Sequence, residues 1–530
     1  MPQAKPKDVV NENFPLGPGT FALEASNGRW LAFKHLILII ELLMYMVDGR
    51  FNRLMVFCPP RHGKSWLISK YFLSWFLGSF PDLRVILAAH SAKFAAKWGL
   101  KSKQLLEAYG RKLFVKEIFE EEKDEDGNVT KTKRILEPNE IELDQHSNAS
   151  YRWDIKGHEG GLLTSGIGGA ILGEGANGFI IDDPTKGFKK ANSKPHQQEL
   201  NDWWYTEGET RLDTDLVTGK PPWVVYIAQR LGKKDLAGQI LHGLSEEDEG
   251  EPHIDAREAL DILRDGGEIP RGTWVVLNLP ALAGEDDILG REPGEPLCEK
   301  IKTKEELEQK RANMGSFRFE AIYQGNPQER EGKIFKREWF LDERGEVLAS
   351  VLTNAKRLPK LLNEARYWDF GASGDEGDET CGMRGAYNEN KLTFRCMVYD
   401  KFTAKQSLYT YKSRTKKDKL GVVSIIEQEP ASESKMLIQQ LIDLDELAWF
   451  DIQKDKVSGS KIDRAFHLEV MAETGRVQFD TDHMTMAEIK MCIMNLIEFT
   501  GEEGDKDHTV DTMTGLANYF MVNEGAEIYI

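Results

Sequence analysis

The sequence predicts an α/β chain in two domains, and three observations carry that expectation. With 530 residues, 40% of them apolar, the chain is too long for a single hydrophobic core. Through its first half, short β-rich apolar runs alternate with helical patterns, the signature of a mostly parallel sheet covered on both faces. From residue 365 a different order sets in, with strands in succession followed by alternating helix and strand.

The elements follow in order. LMVF (54–57) reads as the first strand, and WLISKYFLSWFL (66–77) has helical spacing. VILAA (85–89), FII (179–181), WVVYIA (223–228) and WVVLNL (274–279) read as further strands. The charged insertions EEEKDEDGNVTKTKR (120–134) and SEEDEGEPH (245–253) read as solvated loops or hairpin tips. This first domain is expected over 1–330. The polar, charged stretch after it reads as a linker over 331–362, and a second domain is expected over 363–530. There ARYWDFG (365–371), a hairpin around NENK (388–391), GVVSIIEQE (421–429) and LAWFDI (447–452) supply strands. Helices are expected over 435–445, 460–474, 486–499 and 509–520. Three strands and then alternating helix and strand is the order of a ribonuclease H-like domain. No internal repeat is present.

Composition excludes several classes. The five cysteines form no C-x-x-C pair and are odd in number, which argues against a disulfide framework or zinc ribbon and for a reducing compartment. MPQAKPKDVVNENFPLGPG has no apolar core segment, and the greasiest run, 36–47, contains Glu41 and falls far short of the roughly 20 residues that cross a bilayer. The expectation is a protein that is not secreted and has no membrane partner. Acidic residues exceed basic ones, 87 to 69, for a net charge of −18, so the overall field repels polyanions. Any nucleic-acid contact must come from local patches such as Lys186, Lys189, Lys190 and Lys194.

The stretch CPPRHGKS (58–65) ends as a phosphate-binding loop ends, between an apolar strand and a helix. Such a loop needs inward backbone N–H groups, a lysine for the β and γ phosphates and a hydroxyl for magnesium. Lys64 and Ser65 supply the last two, Pro60, Arg61, His62 and Gly63 shape the loop, and ATP with Mg2+ is the expected ligand. Cys58 replaces the usual first glycine, and Pro59 and Pro60 fix a turn that glycine would only permit. In GFIIDDP (178–184), Asp182 ends a strand where a second magnesium carboxylate belongs, and Asp183 stands where a general base would polarise water. An ordinary strand end with an Asp-Pro turn is the other reading. GGLLTSGIGGAILGEGANG (160–178) is either a spacer or a segment of close backbone approach to a ligand.

Together CPPRHGKS, GGLLTSGIGGAILGEGANGFIIDDP and YIAQRLGKKDLAGQIL resemble the large terminase subunit of tailed bacteriophages, and the resemblance runs from about residue 30 to 525. It implies an N-terminal P-loop ATPase domain of the ASCE type, which translocates double-stranded DNA into a procapsid, and a C-terminal ribonuclease H-like nuclease. It implies that Arg61 senses the γ phosphate and that Gln229 and Arg230 couple hydrolysis to movement. His35 falls where the family places adenine-side residues, or is a core or helix-cap histidine. Two departures stand out. Asp183 is shorter than the family's frequent glutamate, and Leu231 replaces the usual tryptophan after IAQR.

The family's nuclease holds two divalent ions, Mg2+ or Mn2+, on acids converging from separate elements. The resemblance puts Asp369, Glu427 and Asp507 in those roles, with Asp511 and Asp378 as further metal candidates. Lys461 and Arg464 either contact a DNA phosphate or pair with neighbouring acids. His508 stands where many members have a second aspartate, as a nitrogen ligand, a proton donor or a solvent-facing substitute. The resemblance further implies the portal protein and the small terminase subunit as partners, a homo-oligomeric ring on the portal, and the host cytoplasm. The alternative is a DNA helicase or repair ATPase fused to a nuclease, which would need a second motor domain where 365–525 lies.

Overall fold

In a computed structural model, the structure describes residues 17–123, 129–169, 171, 173–245, 248–329, 333–354, 356–359, 362–370, 379–418, 420–428, 439, 441, 445–457, 459–502 and 508–523. The chain divides into two compact units, one of residues up to Gln309 with Ser316–Glu329, the other of Lys310–Gly315 with the residues from 330 onward.

The first unit is built on β1 (Arg53–Phe57), β2 (Arg84–Ala89), a separate antiparallel pair β3 (Val115–Lys123) and β4 (Val129–Pro138), then β5 (Leu143–Asn148), β6 (Arg152–Ile155), β7 (Gly161–Gly166), β8 (Gly178–Asp182), β9 (Trp223–Ala228), β10 (His253–Asp255) and β11 (Trp274–Asn278). Nine of these strands form one sheet in the order β10-β11-β1-β9-β8-β2-β7-β6-β5. Every pairing from β10 to β7 is parallel, and only the two edge pairings, β7 with β6 and β6 with β5, are antiparallel. β9 stands between the loop strand β1 and the aspartate strand β8, the sheet order of an ASCE-type P-loop domain.

Alternation explains why these strands read as unbroken apolar runs. Leu54, Val56, Val85, Leu87, Ile180 and Val225 join the core on one face of the sheet. Met55, Phe57, Ile86, Ala88, Phe179 and Val224 join the core on the other, so both faces are covered and neither tolerates polar residues. The glycine-dense stretch after Gly160 begins as a buried strand, β7, rather than as a spacer. The end of the 245–253 insertion enters the sheet through β10.

The second unit contains β12 (Leu352–Thr353), β13 (Asn363–Asp369), β14 (Thr380–Asn388), β15 (Lys391–Asp400), β16 (Val422–Gln428), β17 (Ile452–Lys456) and β18 (Val477–Asp480), in the order β12-β18-β15-β14-β13-β16-β17. β13, β14 and β15 form an antiparallel meander, and β16 and β17 add parallel to β13. That is the ribonuclease H-like sheet. The helix His508–Asn523 lies so close on it that a Cβ at Gly515 would stand 2.3 Å from the Tyr367 ring, which no side chain tolerates.

Three expectations differ from the structure here. The strand expected over 447–452 begins only at Ile452, as β17, after a short helical turn at Asp445–Leu447. The stretch 331–362 does not behave as a linker where described: Ile334, Phe335, Phe340, Leu341 and Val351 are buried in the second core, and β12 pairs with β18. The helix Ala404–Asp418 had no expected counterpart, and most of the helix expected over 435–445 lies outside the described residues. Arg366, 1% exposed, ties the end of Ala404–Asp418 to β13 by donating to Asp418 Oδ1 at 3.0 Å.

Candidate functional site

The first unit gathers its chemistry at the C-terminal ends of β1, β8 and β9, where ligands bind in open parallel sheets. After Phe57 the chain turns through Pro59 and Pro60 into a loop in which Arg61 and Gly63 take left-handed backbone angles, φ 68° and 92°. At Gly63 the left-handed backbone would strain any residue with a side chain. The helix then opens with a π-helical stretch, Trp66–Phe72, a wide turn that recurs at functional sites.

Ser65 and Ser69, one helical turn apart, face β8. Ser65 Oγ donates to Asp182 Oδ1 at 2.9 Å and Ser69 Oγ to Asp182 Oδ2 at 2.7 Å. Asp182 is fully buried, and burial together with the charge of Asp183 pushes its carboxyl up to about 7. Lys64 Nζ lies 3.4 Å from Asp183 Oδ1. Burial works against the ammonium, but the Asp183 carboxylate and its neighbours outweigh it and hold Lys64 above the usual lysine range. Asp183 adopts φ 45° and is pinned from both sides: its N–H donates to Ile227 O at 2.9 Å, and its carbonyl accepts from His90 N at 3.3 Å. Cys58 is buried, and its thiol is pushed up to about 12, so it is an inert filler of the glycine position.

His35 is buried beneath the loop and donates from Nε2 to the His62 carbonyl at 2.9 Å, while its ring stacks on Phe33. It buttresses the loop as a core histidine. Burial lowers both His35 and His62 to about 4, which keeps them neutral. Beside the loop a cavity of about 510 Å3 is lined by Arg29, Trp30, Arg61, Trp66 and Tyr71 among others, an aromatic and basic wall next to the phosphate loop. Gln229 lines a small cavity with Asp183 and Thr185. Arg230 is turned elsewhere: its Nε donates to both carboxylate oxygens of Asp235 at 3.1 and 3.0 Å, and its guanidinium lies 4.9 Å from the Phe57 ring centroid. Asp235 also caps the helix Leu236–His242 by accepting from Gly238 N. Lys186, Lys189, Lys190 and Lys194 are exposed.

The second unit gathers acids from three elements. Asp369 ends β13, Glu427 lies on the adjacent strand β16, and Asp511 is in the first turn of His508–Asn523. Arg464, on the helix Lys461–Glu473, joins two of them: NH1 donates to Glu427 Oε1 at 2.8 Å and NH2 lies 3.0 Å from Asp511 Oδ1. Lys461 Nζ is 3.9 Å from Asp511 Oδ2, so the basic pair meets neighbouring acids. His508 Nδ1 donates to Asp369 Oδ2 at 2.6 Å. Burial and the charge of Asp369 push Glu427 up to about 8 against the pull of Arg464, and its Oε2 is buried without a hydrogen-bond partner among the described residues. Among the described residues no three acidic, histidine or cysteine side chains are already drawn together as a metal-holding group. The donor set nonetheless fits a hard divalent cation: oxygen donors on three elements, one of them a buried orphan oxygen. Asp507 and Asp378 lie outside the described residues.

Sequence reasoning missed Ser69, Asp235 and Asp455. Ser69 carried a signal, being four residues after Ser65 on a helix. Asp235 carried none, because its role depends on where Arg230 turns. Asp455 sits directly across from Glu427 on β17 and accepts from Tyr367 OH at 2.6 Å, a contact that only the strand register reveals.

No family model matches the sequence, and no curated protein matches it. Among solved structures, the large terminase from a thermophilic bacteriophage is similar at 11% identity and a TM-score of 0.45, over 93% of this chain and 100% of that one. The same protein in complex with ATP-gamma-S gives 11% and 0.42, over 91% and 98%. The large terminase nuclease domain from the bacteriophage SPP1 with bound Mn gives 16% and 0.24, over 33% of this chain and 93% of that one.

Proposed function

We propose that the chain is a DNA-packaging motor and nuclease of the large-terminase kind, which hydrolyses ATP to drive double-stranded DNA into a procapsid and cuts concatemeric DNA. The observation that carries the reading is the pairing of two chemistries in one chain: a lysine loop set against paired aspartates on an ASCE-type sheet, and an acid cluster on a ribonuclease H-like sheet. The motif resemblance of CPPRHGKS, GFIIDDP and IAQR supports the motor half.

When bound, MgATP supplies the phosphoanhydride and the cation that neutralises its charge. The loop amides of 61–65 cradle the phosphates, Lys64 leaves Asp183 for the β and γ phosphates, and Ser65 and Asp182 hold the magnesium side, with Ser69 keeping Asp182 oriented. Asp183, released from Lys64, accepts the proton of the attacking water, and Arg61 steadies the developing charge. Gln229, at the end of β9, links the cavity holding Asp183 to the Arg230–Asp235 pair and so to the helix beyond. At the second site, divalent cations supply the activation of water and the stabilisation of the leaving oxygen. Asp369, Glu427, Asp511 and Asp507 hold them, with Asp378 in reserve, and Arg464 shifts from the acids toward the scissile phosphate. Portal protein, small terminase subunit and a homo-oligomeric ring belong to this reading as partners.

The test is an ATPase assay run beside a plasmid-cutting assay with Mg2+ or Mn2+ on one preparation. Activity in both supports the reading; a folded protein inactive in both contradicts it.

A further inference from the structure

The helix Ala92–Leu113 carries lysines at 93, 97 and 101, four residues apart and therefore on one face. The row is roughly 12 Å long at about 1.5 Å per residue. Lys93 and Lys97 are exposed. At its far end the row meets the helix that follows the phosphate loop, where Lys101 Nζ lies 4.0 Å from the Trp66 ring centroid and 4.5 Å from that of Trp98. Lys70 Nζ lies 4.7 Å from the Trp66 centroid and 4.4 Å from that of Tyr71. Aromatic faces hold these two ammonium groups, and a ring positions a cation without cancelling its charge.

No ion pair is made by Arg29, Lys70, Lys93, Lys97 or Lys101 among the described residues, in a chain whose acids outnumber its bases by 18. Like charges four residues apart on a helix destabilise it, so the row does not serve stability. The strain registers on the lysines themselves: burial, then Lys101 and Arg29, lower Lys70 to about 8, and burial and Lys97 lower Lys101. An anion placed here would relieve the repulsion among the cations. A linear row longer than one phosphate group matches a linear polyanion, and the loop amides already provide a separate seat for nucleotide phosphates.

We propose that Lys93, Lys97 and Lys101, continued by Lys70 and Arg29, form a seat for the phosphate backbone of duplex DNA on the motor unit. The seat deepens the reading above and rests on its claim that the chain acts on duplex DNA. Trp66 and Lys70 line the same cavity as Arg61, so the end of the backbone seat and the nucleotide loop border one space.

The test is anisotropy of a labelled DNA duplex with the full chain in EDTA, repeated across salt concentrations, beside titration of a fluorescent ATP analogue with Mg2+. The triple variant Lys93→Gln, Lys97→Gln, Lys101→Gln is expected to bind duplex at least about tenfold more weakly at low salt, with a salt slope shallower by about 2 to 3. Its nucleotide affinity is expected to be unchanged, and the corresponding triple arginine variant is expected to restore duplex binding. Wild-type affinity and slope in the glutamine triple would overturn the seat while leaving the DNA reading standing. A wild-type chain that binds no duplex would overturn both. A loss confined to nucleotide binding would assign the row to the nucleotide site and overturn the proposal.

Discussion

The hydroxyl of Ser65 and the carboxylate of Asp182, 117 residues apart in sequence, meet at 2.9 Å, and Ser69 holds the other oxygen of the same carboxylate. Ser69 therefore sets the rotamer of the aspartate on which the magnesium side of the motor site depends. Ser69→Ala strips one of two donors from a fully buried carboxylate, at an expected cost of roughly 1–3 kcal/mol. Thermal unfolding is expected to show that loss, with MgATP affinity reduced and Mg2+-free nucleotide affinity little changed. A variant with wild-type melting and MgATP affinity would mean Asp182 is held by other means.

Arg230 and Asp235 form a pair whose side chains are only 8% and 6% exposed. Breaking a buried pair leaves an uncompensated charge, so Arg230→Ala is expected to lose about 3–5 kcal/mol, with Arg230→Lys losing less. The family resemblance alone predicts that this substitution uncouples the motor rather than unfolding it. A melting curve measured beside a packaging assay separates the two: unchanged melting with failed packaging would make Arg230 a coupling residue alone.

His35 and His62 support the loop in neutral form, both lowered to about 4 by burial. The unfolded chain protonates its histidines near pH 6.5, so the folded state binds fewer protons between those values. Their contribution is fully present above about pH 6.5 and is lost as pH falls toward 4. The melting temperature of the first unit is expected to drop over that window, and more shallowly in His35→Phe, whose ring can stack on Phe33 as the imidazole does. An equally steep drop in the variant would remove His35 from the account.

Arg464 occupies the space between Glu427 and Asp511. Without it the acids repel one another until a cation arrives. Arg464→Gln is expected to melt lower than wild type in EDTA and to gain more from added Mn2+. Asp369→Asn and Glu427→Gln, which remove acids from the two adjacent strands, are expected to abolish cutting, and Asp511→Asn, on the helix, to weaken it less. Asp507→Asn, from the family resemblance, is expected to abolish it as well; full cutting by that variant would move the role to Asp511 or Asp378.

What was legible in the sequence was what is local. The loop 58–65, the strand ending at Asp182 and the two-sided burial of β1, β2, β8 and β9 are written in short apolar runs and a triplet, which the sheet then assembles. What was not legible depends on tertiary placement. Asp235 looks like any helix cap until Arg230 turns into it, and Asp455 like any surface acid until register sets it opposite Glu427. The stretch 331–362 read as a linker because its few core residues, Ile334, Phe335, Phe340, Leu341 and Val351, are scattered among charges with no single period. Ala404–Asp418 is hard to see in the sequence because its lysines and arginine hide a narrow apolar seam that includes the buried Tyr411.

Two active sites that work independently are separated by crossing two single substitutions. Lys64→Ala and Asp369→Asn are each assayed for ATP hydrolysis and for Mn2+-dependent plasmid cutting, with circular dichroism confirming the fold. Lys64→Ala is expected to lose hydrolysis by roughly a hundredfold or more while cutting persists, and Asp369→Asn to do the reverse. Loss of both activities in either folded variant would contradict that independence.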